Sequence, residues 1–308
     1  MSEKLIAVCV PTFRREKLLQ DCLLSIAQLS QPDGYTIKVI VVDNDAGESA
    51  RKTSENMSAT LPFTLHYFVH CQRGLAEVRN RLLDEALAID AGLIAFIDDD
   101  EQVEPLWLCQ HIENMKKYDA DVSSGPVRQL GKVSQKEKQK RSGSTPRHVS
   151  TNNVLFKSSL AAVQNLRFDP FFNFIGGEDF DFFERSKNKG NVHIWTEEAL
   201  VLETISEERD SVTYLFYRHY SGGINNVLRF RRSHSWWQAW FKYLPKILGK
   251  FIGSLVYLLY SALRANKPLL LTATKKLASG LGYLAALFNI VVERYREPDG
   301  KTNSDIPS

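Results

Sequence analysis

The 308 residues carry 39 Lys and Arg against 36 Asp and Glu, a net charge of +3, with 44% hydrophobic residues. That balance belongs to a globular chain able to bury a sizeable core. It excludes a disordered chain and offers no bulk positive charge of the kind that binds nucleic acid. Cys9, Cys22, Cys71 and Cys109 show no CxxC and no pairing rhythm, so each is expected as a small core residue in a reducing compartment. The N-terminal stretch MSEKLIAVCVPTF has too short an apolar run and no small-residue cleavage site for an export signal, so the expected compartment is the cytoplasm.

In chain order, Leu5 to Val10 is a β-type run that stops at Pro11, and Arg15 to Leu29 carries a helical stripe through Leu18, Leu19, Cys22, Leu23 and Ile26. A second strand, Ile37 to Val42, ends in Asp43-Asn44-Asp45, and a short helix follows to about Met57. Phe63 to Val69 is a third strand and Leu75 to Ile89 a helix. Strands alternating with helices of this length predict βαβ units and an α/β fold with a mostly parallel sheet. Right-handed crossovers set the ends of strands one, two and four along one rim.

The fourth strand is the stretch LIAFIDDDE, Leu93 to Glu101. Its apolar run suits a central strand, and ligands sit beyond the carboxyl ends of such strands. Four adjacent acids repel one another, so a fold tolerates them where a cation or solvent compensates. Alternate side chains on an extended segment share a face, so Asp98 and Asp100 are expected to point one way and Asp99 the other. Two hard oxygen ligands facing a cleft suit Mg²⁺ or Mn²⁺ that also holds a diphosphate. A solvated acidic turn ahead of a helix starting at Pro105 is the plainer reading of the same residues.

A helix over about Pro105 to Lys117 and a strand over Asp121 to Val127 come next. Residues 128–148 are polar and lysine-rich, expected as a mobile loop that either closes over an anionic ligand or is a solvated insertion. Val149 to Phe156 returns as a strand, followed by the aromatic stretch Phe168 to Phe174. Gly176, Gly177, Glu178 and Asp179 then lead into a helix to about Lys189, with short strands over Val192 to Trp195 and Ala199 to Leu202.

The first strand ends in Val-Pro-Thr-Phe, not in a glycine-rich turn, so it is neither a dinucleotide fingerprint nor a P-loop. Pro11 leaves carbonyls free and Thr12 offers a hydroxyl for a base or ribose edge. Asp43 could accept from a pyrimidine N–H or be a turn residue. Arg73 and Arg79 could bind phosphate or base edges, or be surface charges.

Taken in order, Val10-Pro11-Thr12-Phe13-Arg14-Arg15, Val41-Val42-Asp43-Asn44, Arg73-Gly74 with Arg79-Asn80, Phe96-Ile97-Asp98-Asp99-Asp100 and Gly177-Glu178-Asp179 resemble the family 2 glycosyltransferases of GT-A fold. The resemblance covers about Leu5 to Glu203. It implies an inverting transfer from a nucleotide-diphospho sugar to a hydroxyl of a glycan or lipid-linked acceptor. Donor contacts would come from Pro11, Thr12, Arg14, Asp43, Arg73, Arg79, Asp98 and Asp99. Asp100, with Asp98, would hold the divalent cation, Mg²⁺ or Mn²⁺. Asp179 would be the general base, with Gly177 and Glu178 on the acceptor side. Inversion needs one carboxylate to take the acceptor proton while charge on the departing diphosphate is offset elsewhere. Glu178 and Asp179 also read as acids complementing a helix dipole. Many members place a histidine after the last strand. Here Glu203 stands there, and His193 reads as a packed strand residue. Arg218, His219 and Tyr220 could touch the diphosphate or lie on a neutral helix.

The C-terminal part changes character. Tryptophans 236, 237 and 240 lie among Arg229, Arg231, Arg232, Lys242, Lys246 and Lys250, ahead of uncharged runs Phe251 to Leu263 and Leu277 to Val292. Neither run reaches the roughly 17–20 residues a spanning helix needs. Basic residues beside tryptophans fit amphipathic helices in a membrane interface. A soluble bundle is the other reading. The expected organisation is a catalytic domain over 1–205, a connecting helical segment over 206–235, membrane-interfacial helices over 236–300 with 236–292 meeting the membrane, and a disordered tail over 301–308. The protein would sit peripherally on the inner face of the cytoplasmic membrane and build a surface polysaccharide or glycolipid. Two rival classes are a sugar nucleotidyltransferase, which wants a glycine-rich first turn, and a non-catalytic membrane-bound partner of the same fold.

Overall fold

The computed structural model describes residues 4–130, 140–204, 211–264 and 266–291. The chain divides into two compact units. One runs to Phe171 and resumes from Glu178 to Ile205; the other comprises Phe172–Gly177 and the chain from Ser206 onward.

The first unit is α/β. Its strands β1 (Lys4–Thr12), β2 (Tyr35–Asp43), β3 (Thr64–Val69), β4 (Leu93–Phe96), β6 (Val122–Ser124), β8 (Val154–Lys157) and β9 (His193–Trp195) form one sheet in the order β3-β2-β1-β4-β8-β6-β9. All neighbours are parallel except those of β8, which runs antiparallel to both β4 and β6. The mostly parallel sheet expected from the strand–helix alternation is therefore present.

Both faces of the sheet are covered, which is why its central strands are apolar at successive positions. Ile6, Val8 and Val10 of β1 face helices α1 (Glu16–Ile26) and α4 (Trp107–Lys117) in one core. Ala7 and Cys9 face α3 (Leu75–Ala88) and α6 (Glu178–Asn188) in the other. The remaining helices of this unit are α2 (Arg51–Ser58) and the short α5 (Ser159–Ala162). Helix α6 is fixed by rings from the aromatic stretch: Phe168 stacks on Phe182 at 4.4 Å between centroids, and both join Phe156. Truncating a buried ring of this kind costs about 3–5 kcal/mol, so the start of α6 is held to the sheet by packing.

Register fixes the rim. Thr12 pairs with Asp43 across β1 and β2, while Cys9 pairs with Phe96 across β1 and β4. The strand ends of β1 and β2 and the residues after Phe96 therefore emerge together.

The extended reading of Leu93 to Glu101 does not hold along its length. Strand β4 stops at Phe96, and Asp99 and Asp100 form a turn closed by the Glu101 amide donating to the Asp98 carbonyl at 3.2 Å. Adjacent carboxylates repel one another without a counter-charge, and the turn sends them to different partners. After it, β5 (Glu101–Val103) joins β10 (Val201–Glu203) and β7 (Val127–Gln129) in a second, three-stranded sheet. Residues 131–139 of the expected mobile loop lie outside the described residues, as does the expected tail. The described ends of that loop are held: Arg128 pairs with Glu197 at 3.2 Å, and the Gly143 amide donates to the Trp195 carbonyl at 2.8 Å.

The second unit contains α7 (Val212–Arg231), α8 (Trp236–Arg264) and α9 (Lys267–Leu287). Helices α7 and α9 cross closely because Gly223 and Gly282 stand at the contact; a Cβ on Gly223 would come within 2.6 Å of the Ser279 carbonyl. Phe172 and Ile175 pack in this unit's core with Ile224, Val227 and Tyr243. The Trp-rich stretch and the uncharged run after it form one helix, α8, which continues through Pro245 for 29 residues. It is long and apolar enough to cross a membrane by length and composition.

Candidate active site

The acidic turn is the centre of the site. Thr12, the last residue of β1, donates its hydroxyl to Asp99 Oδ2 at 2.8 Å. Arg15, at the N-terminus of α1, places one nitrogen, Nη1, 3.0 Å from Asp99 Oδ1 and 3.1 Å from Asp100 Oδ2. Asp99 and Asp100 are buried, while the Arg15 side chain is 42% exposed. Burial and the Asp100 charge raise the Asp99 carboxyl to about 6 against the pull of Arg15. Burial likewise raises Glu101, whose carboxylate accepts the Asp98 amide at 3.0 Å.

Asp98 turns the other way. Its carboxylate lies 3.4 Å from the buried Arg79 of α3, and Arg79 also grips Glu178, the first residue of α6. Burial raises the Asp98 carboxyl, Arg79 opposes, and both Asp100 and Asp179 push it up further. The last contribution puts the Asp179 charge within electrostatic reach of Asp98. One arginine thus ties the acidic turn to the helix that starts with Glu178-Asp179. A buried cation between two carboxylates gains geometry more than stability: removing one partner would leave a buried charge uncompensated. Asp179 itself is half-buried and accepts the Phe180 amide at 2.7 Å. Gly176 and Gly177 precede it at φ +78° and +93°, a conformation that glycine alone adopts freely.

At the β2 end, Asp43 is buried and accepts from the Asp45 amide at 3.0 Å, the Ala50 amide at 2.8 Å and the Tyr67 hydroxyl at 2.9 Å. Burial and that carboxylate push the Tyr67 phenol up. Asn44 shapes the neighbouring turn by donating to the His70 and Gln72 carbonyls and accepting the Gly74 amide. Arg73 lies 3.7 Å from the centre of the Phe13 ring, and Arg14 4.9 Å from the same ring while pairing with Asp45. Two guanidiniums over the Phe13 ring place positive charge beside Pro11 and Thr12. The Asn80 side chain exchanges two hydrogen bonds of 2.8 Å with the Phe168 backbone, tying α3 to the aromatic stretch.

Arg15 and Asn44 were quoted in the sequence motifs without a role, and Tyr67 was not singled out. Arg15 carried a signal: a basic residue at a helix N-terminus opposes the dipole, so it is expected there only beside an anion. His193 is a buried strand residue bonded to Ser186, and burial lowers its imidazole to about 4. Glu203 pairs with Glu101 across β10 and β5. Arg218, His219 and Tyr220 lie on α7.

Among the described residues no three His, Cys, Asp or Glu side chains assemble into a complete metal cage. The acidic turn still fits a divalent ion completed by ligand oxygens. Its carboxylates are hard donors, and two of them already surround a cationic group, the Arg15 guanidinium.

The sequence profile of glycosyl transferase family 2 matches residues 7–171. The chain belongs to that family. It is 32% identical over 277 residues to the succinoglycan biosynthesis protein ExoM of Rhizobium meliloti (strain 1021), covering 85% of this chain and 87% of that one. Its fold is similar to that of a mannosyltransferase from Pyrobaculum calidifontis solved with GDP-Man and Mn²⁺, at a TM-score of 0.67 and 15% identity, over 92% of this chain and 87% of that one. It also resembles residues 1–349 of TarS from S. aureus bound to UDP-GlcNAc, at a TM-score of 0.55 and 18% identity over 92% of each chain. The expected GT-A architecture and a nucleotide-sugar-dependent glycosyltransferase both follow from the membership. The nucleotidyltransferase reading falls with it.

Proposed function

We propose that this chain is an inverting, metal-assisted glycosyltransferase of surface polysaccharide or glycolipid assembly, acting on a hydroxyl of a glycan or lipid-linked acceptor. The observation that carries the reading is the Asp98–Arg79–Glu178 bridge, which ties the acidic turn to the helix bearing Asp179. The name of the relative ExoM, a succinoglycan biosynthesis protein, supports the acceptor class. The structural neighbours bound to GDP-Man with Mn²⁺ and to UDP-GlcNAc support the donor class.

In this reading Asp179 takes the acceptor proton as the hydroxyl attacks the anomeric carbon, a step that needs a carboxylate held still and partly desolvated. Arg79 and Glu178 do the holding, so Glu178 acts by position. Gly177 leaves the backbone open for the acceptor. Thr12 and the Pro11 carbonyl face the nucleoside, with Asp43 shaping that wall. Arg14 and Arg73 supply positive charge for the diphosphate. Asp100 would hold Mg²⁺ or Mn²⁺, which when bound offsets the charge on the leaving diphosphate, while Asp98, turned toward Arg79, serves the bridge to α6 and not the expected second ligand.

The second unit is proposed to hold the protein peripherally on the cytoplasmic membrane. Trp237, Phe241, Leu244, Leu248, Ile252, Leu255, Leu259 and Leu263 recur at every third or fourth position of α8, and all but Leu244 are more than half exposed. This apolar stripe runs along one side, while Ala239, Tyr243, Ile247 and Ser254 are buried on the other. Lys242, Lys246 and Lys250 interrupt α8, and the uncharged remainder from Phe251 to Leu263 would extend only about 20 Å, short of a hydrocarbon core of about 30 Å. The helix therefore suits the interface plane better than a crossing. From Ser211 to Val292 the sequence has eleven Lys and Arg and no Asp or Glu, which leaves 28 basic against 36 acidic residues in the rest. Such a segment is drawn to anionic lipid.

The deciding experiment is thermal stabilisation by a panel of nucleotide-diphospho sugars with and without Mn²⁺. A cognate donor at a hundred times its dissociation constant should add about 2.7 kcal/mol, and Asp100→Ala should erase the Mn²⁺-dependent part. No stabilisation by any donor would overturn the reading.

A further inference from the structure

Arg15 is the residue of the site that no part of the reaction has yet used. Its single Nη1 nitrogen bridges Asp99 and Asp100 at 3.0 and 3.1 Å. It does so from the N-terminus of α1, where Arg15 occupies the capping position without a capping hydrogen bond from its side chain. Ser, Thr, Asp or Asn would suit that position and an arginine is electrostatically misplaced there, since the helix already ends in exposed N–H dipoles. The two carboxylates offset this. They raise the guanidinium's proton affinity in spite of its partial burial.

Asp100 is also the residue expected to hold a divalent cation. A guanidinium and a divalent ion held on the same carboxylate repel one another strongly, so each weakens the other's hold on Asp100. We propose that Arg15 is the resident counter-cation of the acidic turn, and that a divalent cation reaches Asp100 only by displacing it. The inference rests on the metal role of Asp100 stated above and adds a competitor that sets the affinity. Its side chain is long and 42% exposed, so it can leave toward solvent without unpacking α1, whose buried residues begin at Leu19.

Competition of this sort has a definite sign. If the guanidinium occupies the turn about nine-tenths of the time, the apparent affinity for the ion falls about tenfold, because only the vacated fraction binds. Removing the arginine should therefore tighten metal binding, the opposite of what a metal-supporting or purely architectural residue would do.

The test titrates Mn²⁺ alone, by calorimetry at pH 8 so that the carboxylates are ionised, into the full chain and its Arg15→Gln, Arg15→Lys and Asp100→Ala variants. Arg15→Gln should bind Mn²⁺ about tenfold more tightly than wild type, and Arg15→Lys should return toward wild type because a cation again occupies the turn. Equal or weaker binding by folded Arg15→Gln overturns the inference while leaving the metal reading standing. Wild-type affinity in Asp100→Ala removes the metal reading itself, and the inference with it. Should Arg15→Gln fail to fold, the Nη–H signals of Arg15 in wild type decide by NMR. They should collapse to those of a free arginine as Mg²⁺ is added, and signals that stay in place overturn the proposal.

Discussion

The two units of this protein invert one another. The α/β unit gathers charge inside: Asp43, Arg79, Asp99, Asp100, Glu101 and Glu178 are all buried. The helical unit displays oil outside, along α8, and its whole 211–292 stretch has no acidic residue. Interior charge is destabilising unless a reaction or a ligand uses it, and exterior apolar surface is destabilising unless something covers it. Each unit thus keeps a feature that folding alone would not select, and the partners proposed above differ accordingly, an anionic donor for the one and a lipid surface for the other.

The largest effect that would break this contrast comes from Asp179→Asn. Turnover should fall by a factor of about 10²–10⁴, the usual worth of a positioned base, with donor affinity retained in calorimetry. Full turnover would move the base elsewhere and leave the buried charge without a catalytic purpose. Next come Ile252→Glu and Leu255→Glu on the exposed stripe. Losing the burial of either side chain in lipid removes about 1.5–3 kcal/mol, so sedimentation with phosphatidylserine vesicles should drop tenfold or more while donor binding stays unchanged. Undiminished sedimentation would mean that α8 faces something other than lipid. The smallest effect concerns buried charge avoided, not used. His111 is fully enclosed by Ser123 and Asn153, and burial lowers its imidazole to about 4. The folded state binds no proton there between its own value and the ordinary 6.5, whereas the unfolded chain does, so stability is lost as pH falls through that window. The melting-temperature gap between wild type and His111→Gln should narrow from pH 7 to pH 5, corresponding to about 2 kcal/mol. A constant gap would show that His111 titrates normally.

Much of the catalytic unit was legible in the sequence because long apolar strands and amphipathic helices carry a period. β1, β2, α1 and α3 are found near their expected bounds. Of the second sheet the sequence showed only a strand over Ala199 to Leu202, near β10, because the three-residue strands β5 and β7 are too short for a period to show and no pattern revealed the pairing. Asp98, Asp99 and Asp100 were read correctly as a charged rim but wrongly as extended, because alternation says nothing about where a strand ends. Partners across large sequence separation were out of reach altogether. Arg79 with Glu178, and Arg15 with Asp99, are pairings created by topology. In the helical unit, the sequence offered two runs each too short to span, whereas the structure joins the first to the tryptophans in one 29-residue helix.

The six residues Phe172–Gly177 have a practical consequence. They belong to the helical unit's core although the chain on both sides belongs to the sheet. No single cut therefore separates the units cleanly. A fragment ending near residue 205 would keep Phe172 and Ile175 but lose Ile224, Val227 and Tyr243, exposing two large side chains directly ahead of Asp179. An enzymologist who trims the helices to obtain a soluble catalyst would also be unpacking the segment that directly precedes the proposed base. Detergent or lipid nanodiscs around the intact chain are the safer preparation.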